Sequence, residues 1–520
     1  MKRILLLVML ILSVLLIASC NRTGKTTTGG SGTGTGTTTT KKQTTTSNNP
    51  NVDSCGVDRS GITEFITLEY ASFENEEIEQ AMLCEFQKLN PHIKVIMRSD
   101  IYEMSHSGAI WNSTLISLAS IGDLPDVFQV QAMDDLIQNV LVYDITDIWN
   151  NDPDTAHVLP DAQNAVVYGD RRLGMLNGQV FQGVFINKDL LDEFNFDLED
   201  YGFDFANNEI WNYEQMIQLA RDFTQRARAK YDNKFYWGLD GEYHNLELSW
   251  GLAPSIDENW GIFSWDGEKF NFTDPRFINL YQLEVQLFLD GIRADVKKDP
   301  EGSLLEFGSA DPGIDLFFQL GRVLLFPNYT WNFDQFNLSP FELMFVPFPK
   351  GTHEDAVPRI PGQVGVHAIG VNTEHPQEAY ELAKFMTWGR EGFLAKIRIH
   401  HELGERLTKF PVSDYEDVWY EIEKIYTDTD SDLYVEGFDL IINAIVEHKQ
   451  SVFAFGKWLP GYSEFKNWYQ NKETESHYRA VQAGQIQFAD VAQTWEDKLN
   501  GLVQERMALY AKYPNITLDE

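Results

Sequence analysis

The sequence is short of cysteine, with three in 520 residues, at Cys20, Cys55 and Cys84. Three cysteines provide neither the ligand spacing of a zinc site nor the dense framework of a small disulfide-rich protein. No histidine cluster with carboxylate support replaces them, so the sequence predicts no metal and no cofactor. Cys55 and Cys84 could form a disulfide in an oxidising compartment or could remain separate thiols, with Cys84 in a helix. The sequence favours the second alternative without deciding between them.

Basic residues are also scarce, with 41 Lys and Arg against 78 Asp and Glu and a formal net charge of −37 at pH 7. Nucleic-acid backbones and anionic lipids repel a body of this charge, so the composition argues against nucleic acid as a partner. The charge suits a neutral or cationic ligand. Solubility at a cell surface explains it equally well.

Long apolar runs are absent after the first twenty residues, and the one at the start is too short for a comfortable membrane span. Lys2 and Arg3 precede an apolar stretch that ends in small residues, a pattern typical of a secretory signal peptide over residues 1–19. Ile17-Ala18-Ser19-Cys20 also resembles the bacterial lipobox, which implies cleavage before Cys20 and a lipid on its thiol. A plain signal peptide with an incidental cysteine, or an uncleaved anchor, is the alternative.

Residues 21–50 contain no aromatic and no aliphatic side chain and consist mainly of Thr, Gly, Ser, Asn and Lys. Such a segment cannot bury enough apolar surface to offset its chain entropy. We therefore expect residues 20–60 to form a flexible tether that holds a folded body near the membrane without embedding it.

The folded body begins with alternating strand and helix patterns. ITEFITLEYAS alternates like a strand, NEEIEQAMLCEFQKLNP has apolar residues at helical spacing, and HIKVIMRS indicates a second strand. A helical stretch, SGAIWNSTLISLASIG, and a third strand, LPDVFQV, follow. This order predicts an α/β fold, in which ligands bind beyond the carboxyl ends of the strands.

The order of these segments resembles the extracellular solute-binding proteins of family 1, the carbohydrate-uptake type that includes maltodextrin-binding proteins. GVFINKDLLDEFNF, WNYEQMIQLARDFT, LGRVLLFPNYTW and GQVGVHAIGVNTEHPQEAYELAKFMTW continue the likeness in the family's order. The resemblance implies a two-lobed periplasmic-binding-protein fold of type II, with a hinge and a ligand cleft between the lobes. Lobe 1 would hold residues 61–178 and 363–407, and lobe 2 would hold residues 179–362 and 408–520, with crossings near 174–183, 361–365 and 410–412.

The resemblance also implies a function without catalysis. The protein would be the outward-facing, lipid-anchored substrate-binding subunit of an ABC importer, a monomer that closes on a sugar or oligosaccharide and docks on the permease. Two alternatives remain, a surface-anchored glycoside hydrolase and the ligand-sensing subunit of a signalling receptor. Paired carboxylates do not favour the hydrolase, because chance pairs are certain among 78 acidic residues.

Sugar rings have apolar faces and polar rims, which proteins bind with aromatic plates and with carboxylates, amides and hydroxyls. Trp331 follows the strand-like segment RVLLFPNYT and matches the family's stacking tryptophan. Core packing is the alternative, and the ligand role is favoured. Tyr329 fits either role equally.

Further aromatic candidates come from two segments of the resemblance. Trp250, in NLELSWGLAPS, lies where relatives place cleft residues of the second lobe, and Trp458, in FAFGKWLPGY, lies near a segment that approaches the cleft. Either could instead belong to a core. Trp260 and Trp265 could equally pack a hairpin around Asp266-Gly267, so neither is chosen.

Polar candidates follow two strands of the first lobe. Phe73 and Glu74 come after the first strand, and Gln131 and Asp134 come after PDVFQV, so both pairs belong to loops at carboxyl strand ends. Asp134 could instead cap the helix that follows it.

Overall fold

Strand β1 (Ile66–Ala71) begins the sheet, and it pairs in parallel with β2 (Ile93–Met97) on one side and with β3 (Val127–Val130) on the other. The computed structural model describes residues 52–106, 108, 110–231, 236–240, 247–294, 315–333, 339–354, 356, 358–447, 451–470, 480–481 and 483–516. The helix between β1 and β2, α1 (Glu76–Leu89), starts where the Asn75 side chain accepts a hydrogen bond from the backbone N–H of Glu77. The predicted strand–helix–strand order is therefore confirmed.

Two long strands join this parallel half to a second half of the sheet. β6 (Met175–Asn187) and β10 (Ile360–Ile369) are antiparallel neighbours, and β10 also pairs with β3. The later residues of β6 pair with β8 (Val323–Tyr329) and β9 (Leu343–Pro347), and β7 (Trp237–Leu239) pairs with β8. β11 (Ser451–Phe453) pairs with β10, and β4 (Val167–Tyr168) forms a small hairpin with β5 (Arg171–Arg172). Every residue of β6 is buried, as expected for a strand covered on both faces.

Helices cover both halves of this sheet. In chain order after α1, those of the described residues are α2 (Ser99–Met104), α3 (Trp111–Ser120), α4 (Met133–Gln138), α5 (Thr146–Asn151), α6 (Pro160–Asn164), α7 (Lys188–Phe194), α8 (Tyr213–Tyr231), α9 (Glu247–Ile256), α10 (Pro275–Leu289), α11 (Asp315–Gln319), α12 (Pro376–Thr387), α13 (Arg390–Leu403), α14 (Glu416–Tyr426), α15 (Phe438–Val446), α16 (Tyr462–Gln470) and α17 (Ala489–Tyr510). Short 3-10 helices include Pro153–His157, Leu198–Tyr201, Phe205–Asn207, Ile262–Ser264 and Thr330–Asn332.

The buried side chains form separate cores in the two halves of the sheet. One core surrounds β1, β2 and β3, and its centre includes Leu68, Trp111 and Phe128. Three clusters lie in the second half, and the one around Phe455 and Trp495 joins α10, α16 and α17. The end of α17 nevertheless packs on the first core through Tyr510, although the sequence-based division places residues 408–520 in lobe 2.

A disulfide joins Cys55 to Cys84, so the favoured expectation of two separate thiols is wrong. The segment before β1, residues 52–65, forms a strap that lies along α1, because the Arg59 guanidinium donates to Gln87 and to the carbonyl of Ile93. These contacts place Cys55 beside a helix that the sequence already predicted for Cys84. In the ranges that the structure describes, no helix is long and apolar enough to cross a membrane.

Candidate functional site

The loop that follows β1 carries Phe73 and Glu74 at the carboxyl end of the strand, where the sequence placed them. Gln129 of β3 holds this loop, because its amide oxygen accepts from Ser72 Oγ at 2.9 Å and from the backbone N–H of Phe73 at 3.2 Å. The Phe73 ring then packs edge-on against Trp111, with ring centroids 5.2 Å apart. The loop is thus fixed by neighbouring strand and helix residues.

Glu74 forms an ion pair with Lys409 and accepts a hydrogen bond from the side-chain amide of Gln129. Lys409 lies in the segment that follows α13, where Phe410 exchanges two backbone hydrogen bonds of 2.7 Å with Gln179 of β6. Burial raises the pKa of the Glu74 carboxyl. The Lys409 charge, the hydrogen bonds from Lys409 and Gln129, and the Lys457 charge outweigh burial and lower that pKa to about 2. Glu74 is therefore ionised at any physiological pH.

A second lysine approaches the same loop from the turn after β11. The Lys457 ammonium nitrogen lies 5.5 Å from the centre of the Phe73 ring, a cation–π distance. The backbone carbonyl of Lys457 accepts from the N–H of Met133 at 2.9 Å, which fixes the turn to the start of α4. Burial and the Lys409 charge lower the pKa of Lys457 to about 8, against the opposing effect of Glu74.

Trp458 follows directly and lies between the two halves of the molecule. Its half-buried ring packs against both the first core and the cluster around Phe455 and Trp495. The indole N–H donates to the carbonyl of Ala454 at 3.1 Å, and the Tyr168 hydroxyl donates to the Trp458 carbonyl at 2.6 Å. Packing thus accounts for part of the Trp458 ring surface.

Trp331 belongs to the 3-10 turn Thr330–Asn332 at the carboxyl end of β8, and 41% of its surface is exposed. Its ring lies against the ring of Tyr329, with centroids 4.4 Å apart, while Tyr329 itself is fully buried. A large exposed aromatic ring supported from below by a buried one gives a flat apolar surface that is open to solvent.

A hydrogen bond and an ion pair in succession connect the Trp331 turn to the Glu74 loop. The Thr330 hydroxyl donates to the carbonyl of Thr408 at 2.9 Å, and Thr408 directly precedes Lys409, the ion-pair partner of Glu74. Residues from both halves of the sheet are therefore held together through residues 408–410.

In the described part of the chain, the hydrogen bonds of the other predicted polar residues go to groups other than Glu74, Lys409 and Trp331. The exposed Gln131 side chain donates to the carbonyl of Gly108 at 3.0 Å. Asp134 accepts from the N–H of Gly461 at 3.3 Å, and burial raises the pKa of its carboxyl. Asp134 does not cap α4, because the capping position is Ala132 and no side chain bonds there. The Trp250 side chain lies outside the described residues.

Trp260 and Trp265 pack in the cluster around Phe455, which agrees with the hairpin alternative. Trp260 is 4% exposed, and Trp265 forms a β-bridge with Phe270 and packs against its ring, with centroids 4.8 Å apart and planes tilted by 47°.

A buried polar network supports the Glu74 loop from behind. The Tyr70 hydroxyl donates to Glu79 and lies 2.9 Å from Nε2 of His367. Burial lowers the pKa of His367 to about 3 and raises that of Glu79, so the imidazole is neutral. A cavity of about 80 Å³ adjoins this network and is lined by Glu74, Glu79, Asn177, Lys396 and Lys409 among others. Burial, against the opposing charge of Glu79, lowers the pKa of Lys396 to about 8.

Sequence reasoning missed Lys409 and Lys457, the two cations beside Glu74. Both stand next to segments that were noticed, since Lys409 precedes the expected crossing at 410–412 and Lys457 precedes Trp458. Their position next to those segments was the signal in the sequence that could have identified them as site residues. Gln129 was also missed, because it lies within β3 and not in the loop after it.

Comparison with protein families gives one match of wide extent. Residues 69–387 match the family described as bacterial extracellular solute-binding protein, which is more than half of the chain. A comparison of the sequence with curated proteins gives no match.

Several solved structures share the fold at low sequence identity. An ABC substrate-binding protein from Listeria monocytogenes in complex with cycloalternan has a TM-score of 0.56 at 16% identity, over 84% of this chain and 99% of that one. The sugar-binding protein MalE from Xanthomonas citri has a TM-score of 0.57 at 14% identity, over 86% and 99%. A sugar transporter from Rhizobium etli in an open conformation has a TM-score of 0.59 at 13% identity, over 84% and 99%. The predicted two-lobed α/β fold is confirmed.

Proposed function

The chain belongs to the bacterial extracellular solute-binding proteins, and from that membership we propose that it is the outward-facing substrate-binding subunit of an ABC importer. Its solute is a sugar or oligosaccharide, bound without chemical change in the cleft between the two lobes. The structural neighbours include proteins described as binding cycloalternan and acarbose, which supports a carbohydrate. Permease subunits are the expected partners.

The observation that carries this proposal is the position of Trp331. Its ring is 41% exposed although it lies at the end of a buried strand and rests on the ring of Tyr329. An exposed aromatic ring of this size is typical of a ligand-binding surface, and the apolar face of a sugar ring could bury it by stacking. Phe73, Glu74 and Trp458 would complete the site from the other side, with Gln131, Asp134 and Trp250 as further candidates.

Ligand binding would close the two lobes about the strands and segments that cross between them. β6, β10 and the segment around Phe410 are the proposed hinge, because each contacts both halves of the sheet. The ligand would favour the closed form by contacting both sides at once, and the permease would recognise that form.

The membrane attachment would be a lipid on Cys20 followed by the tether of residues 20–60. This arrangement would keep a monomeric, soluble body at the extracytoplasmic face of the cell membrane, within reach of the permease.

A thermal-shift screen of the mature protein against mono- and oligosaccharides tests the proposal. A binder at 100 times its Kd stabilises the folded protein by about 2.7 kcal/mol, which is readily seen as a raised melting temperature. Chromatography of the same mixtures distinguishes a binding protein from a glycoside hydrolase, because the sugar remains intact with a binding protein and is cleaved by a hydrolase. A screen without any stabilising sugar, or a sugar that is cleaved, contradicts the proposal.

A further inference from the structure

The Lys457 side chain is a cation at the candidate site. Its turn follows β11 and lies between the two halves of the molecule, as the packing of its neighbour Trp458 shows. Among the residues that the structure describes, no Asp or Glu forms an ion pair with Lys457. Its described contact is the face of the Phe73 ring, 5.5 Å from the ammonium nitrogen.

The carboxylate whose charge acts on Lys457, that of Glu74, is already engaged. It is paired with Lys409 and accepts a hydrogen bond from Gln129 at 2.5 Å. Lys457 therefore adds a second positive charge beside a carboxylate that one lysine has neutralised. Its pKa of about 8 leaves the ammonium mostly charged at neutral pH, with repulsion from Lys409 among the causes of the lowered value.

The other charged groups near the Glu74 loop, Lys396 and Glu79, do not offset the extra positive charge of Lys457. Lys396 is 7% exposed, and Glu79 is the carboxylate whose charge acts most strongly on it. The Tyr70 hydroxyl donates to Glu79, whose pKa is raised by burial. Three lysines, Lys396, Lys409 and Lys457, thus stand against two carboxylates, those of Glu74 and Glu79, in a protein whose formal net charge is −37.

A local positive charge at the candidate site of such an acidic protein favours an anionic group on the ligand. Charges more than about 8 Å apart are largely screened at physiological ionic strength, so the acidic surface does not cancel it. Lys409 and Lys457 place two positive charges beside the single Glu74 carboxylate, and a second anion would offset the repulsion that remains between them. The composition alone suggested a neutral or cationic ligand, whereas the positions of Lys409 and Lys457 favour an anionic one.

We infer that the solute is an acidic saccharide, whose anionic group binds the Lys457 ammonium while an apolar sugar face covers Trp331. This inference rests on the proposed function and names the substrate class of the same site. A uronate carboxylate and a sugar phosphate are the two sources of that charge. A hydrogen bond to a charged group contributes about 1.5–3 kcal/mol, so loss of the cation should weaken binding by roughly 10- to 150-fold.

Isothermal titration calorimetry with matched ligands tests the inference. The ligands are trimers of galacturonate, glucuronate and mannuronate, the methyl ester of each trimer, the corresponding neutral trisaccharides, and hexose 6-phosphates. We expect at least one acidic sugar to bind at least about 10-fold more tightly than its uncharged counterpart. Binding of the uronates or of the phosphates then identifies the source of the charge.

Three variants complete the design. Lys457→Gln should remove the preference for the acidic sugar, and Lys457→Arg should retain most of it. Lys424→Gln makes the same change of net charge at a lysine that is 62% exposed on α14, and it should leave the preference unchanged. Melting temperatures of the empty variants show that each one is folded.

The outcomes separate the two proposals. Tight binding of uncharged sugars without preference for acidic ones, or a preference that persists in Lys457→Gln, overturns the inference and leaves the proposed function standing. In that case Lys457 acts as a second counter-charge for Glu74. Binding of no sugar of either kind overturns both.

Discussion

The ion pair between Glu74 and Lys409 should contribute measurably to folding, because it joins the loop after β1 to the segment after α13, which pairs with β6. The pKa of Glu74 falls from an ordinary 4.5 to about 2, with the charge of Lys409 the leading cause that opposes burial. A shift of that size corresponds to about 3 kcal/mol. The Glu74 side chain is 31% exposed, so solvent screens the pair and we expect about 1–2 kcal/mol.

A double-mutant cycle isolates this contribution. Glu74→Gln, Lys409→Met and the double variant would be unfolded in urea at pH 7 and followed by tryptophan fluorescence. The coupling free energy should be about 1–2 kcal/mol. Glu421→Gln removes a comparable but exposed partner of Lys424, whose side chain is 62% exposed, and should change the free energy of unfolding by less than about 0.5 kcal/mol.

The dependence on pH gives a second readout. Because folding depresses the pKa of Glu74, its stabilisation is present above pH 4.5 and is lost as the pH falls towards 2. The difference between the wild-type protein and Glu74→Gln should therefore shrink over that interval. A coupling free energy below about 0.5 kcal/mol, or a difference that stays constant down to pH 2, would refute the reasoning.

Two further predictions concern the amino-terminal part of the chain. Reduction of the Cys55–Cys84 disulfide, or the Cys84→Ser substitution, should lower the free energy of unfolding by about 2–4 kcal/mol, because the bond restricts the unfolded chain over a sequence separation of 29 residues. Urea unfolding with and without reductant measures this, and identical curves would show that the bond does not stabilise the fold. Cys20→Ala should release the protein into the medium or leave its precursor uncut. Normal processing with unchanged membrane attachment, seen by fractionation, would exclude the lipid anchor.

The first lobe shows how far local patterns reach. Ile78, Met82 and Phe86 recur at helical spacing, and the structure buries all three on one face of α1. Asn75 and Pro91 bracket that helix, so its ends were predictable as well. The residues after β1 were also placed correctly, because position at a carboxyl strand end follows from the strand itself.

The rest of the site depends on contacts between distant segments. Lys409 meets Glu74 across 335 positions of sequence, and no local period records such a meeting. The disulfide likewise requires the strap around Cys55 to lie along α1, which the anchoring of Arg59 decides. The capping role considered for Asp134 failed because α4 already starts at Met133, with Ala132 at the capping position, so Asp134 lies within the first turn.

The most direct test of the central claim is calorimetric titration of the Trp331→Ala variant with the sugar that most stabilises the wild-type protein. Loss of one sugar-stacking face should cost about 1–3 kcal/mol, which weakens binding by roughly 5- to 150-fold. The ring is 41% exposed, so the empty variant should still fold, and Tyr420→Ala, at an exposed ring on α14, should bind as the wild type does. Wild-type affinity in Trp331→Ala, together with a large loss of stability, would place this ring in the core and contradict the account of the site.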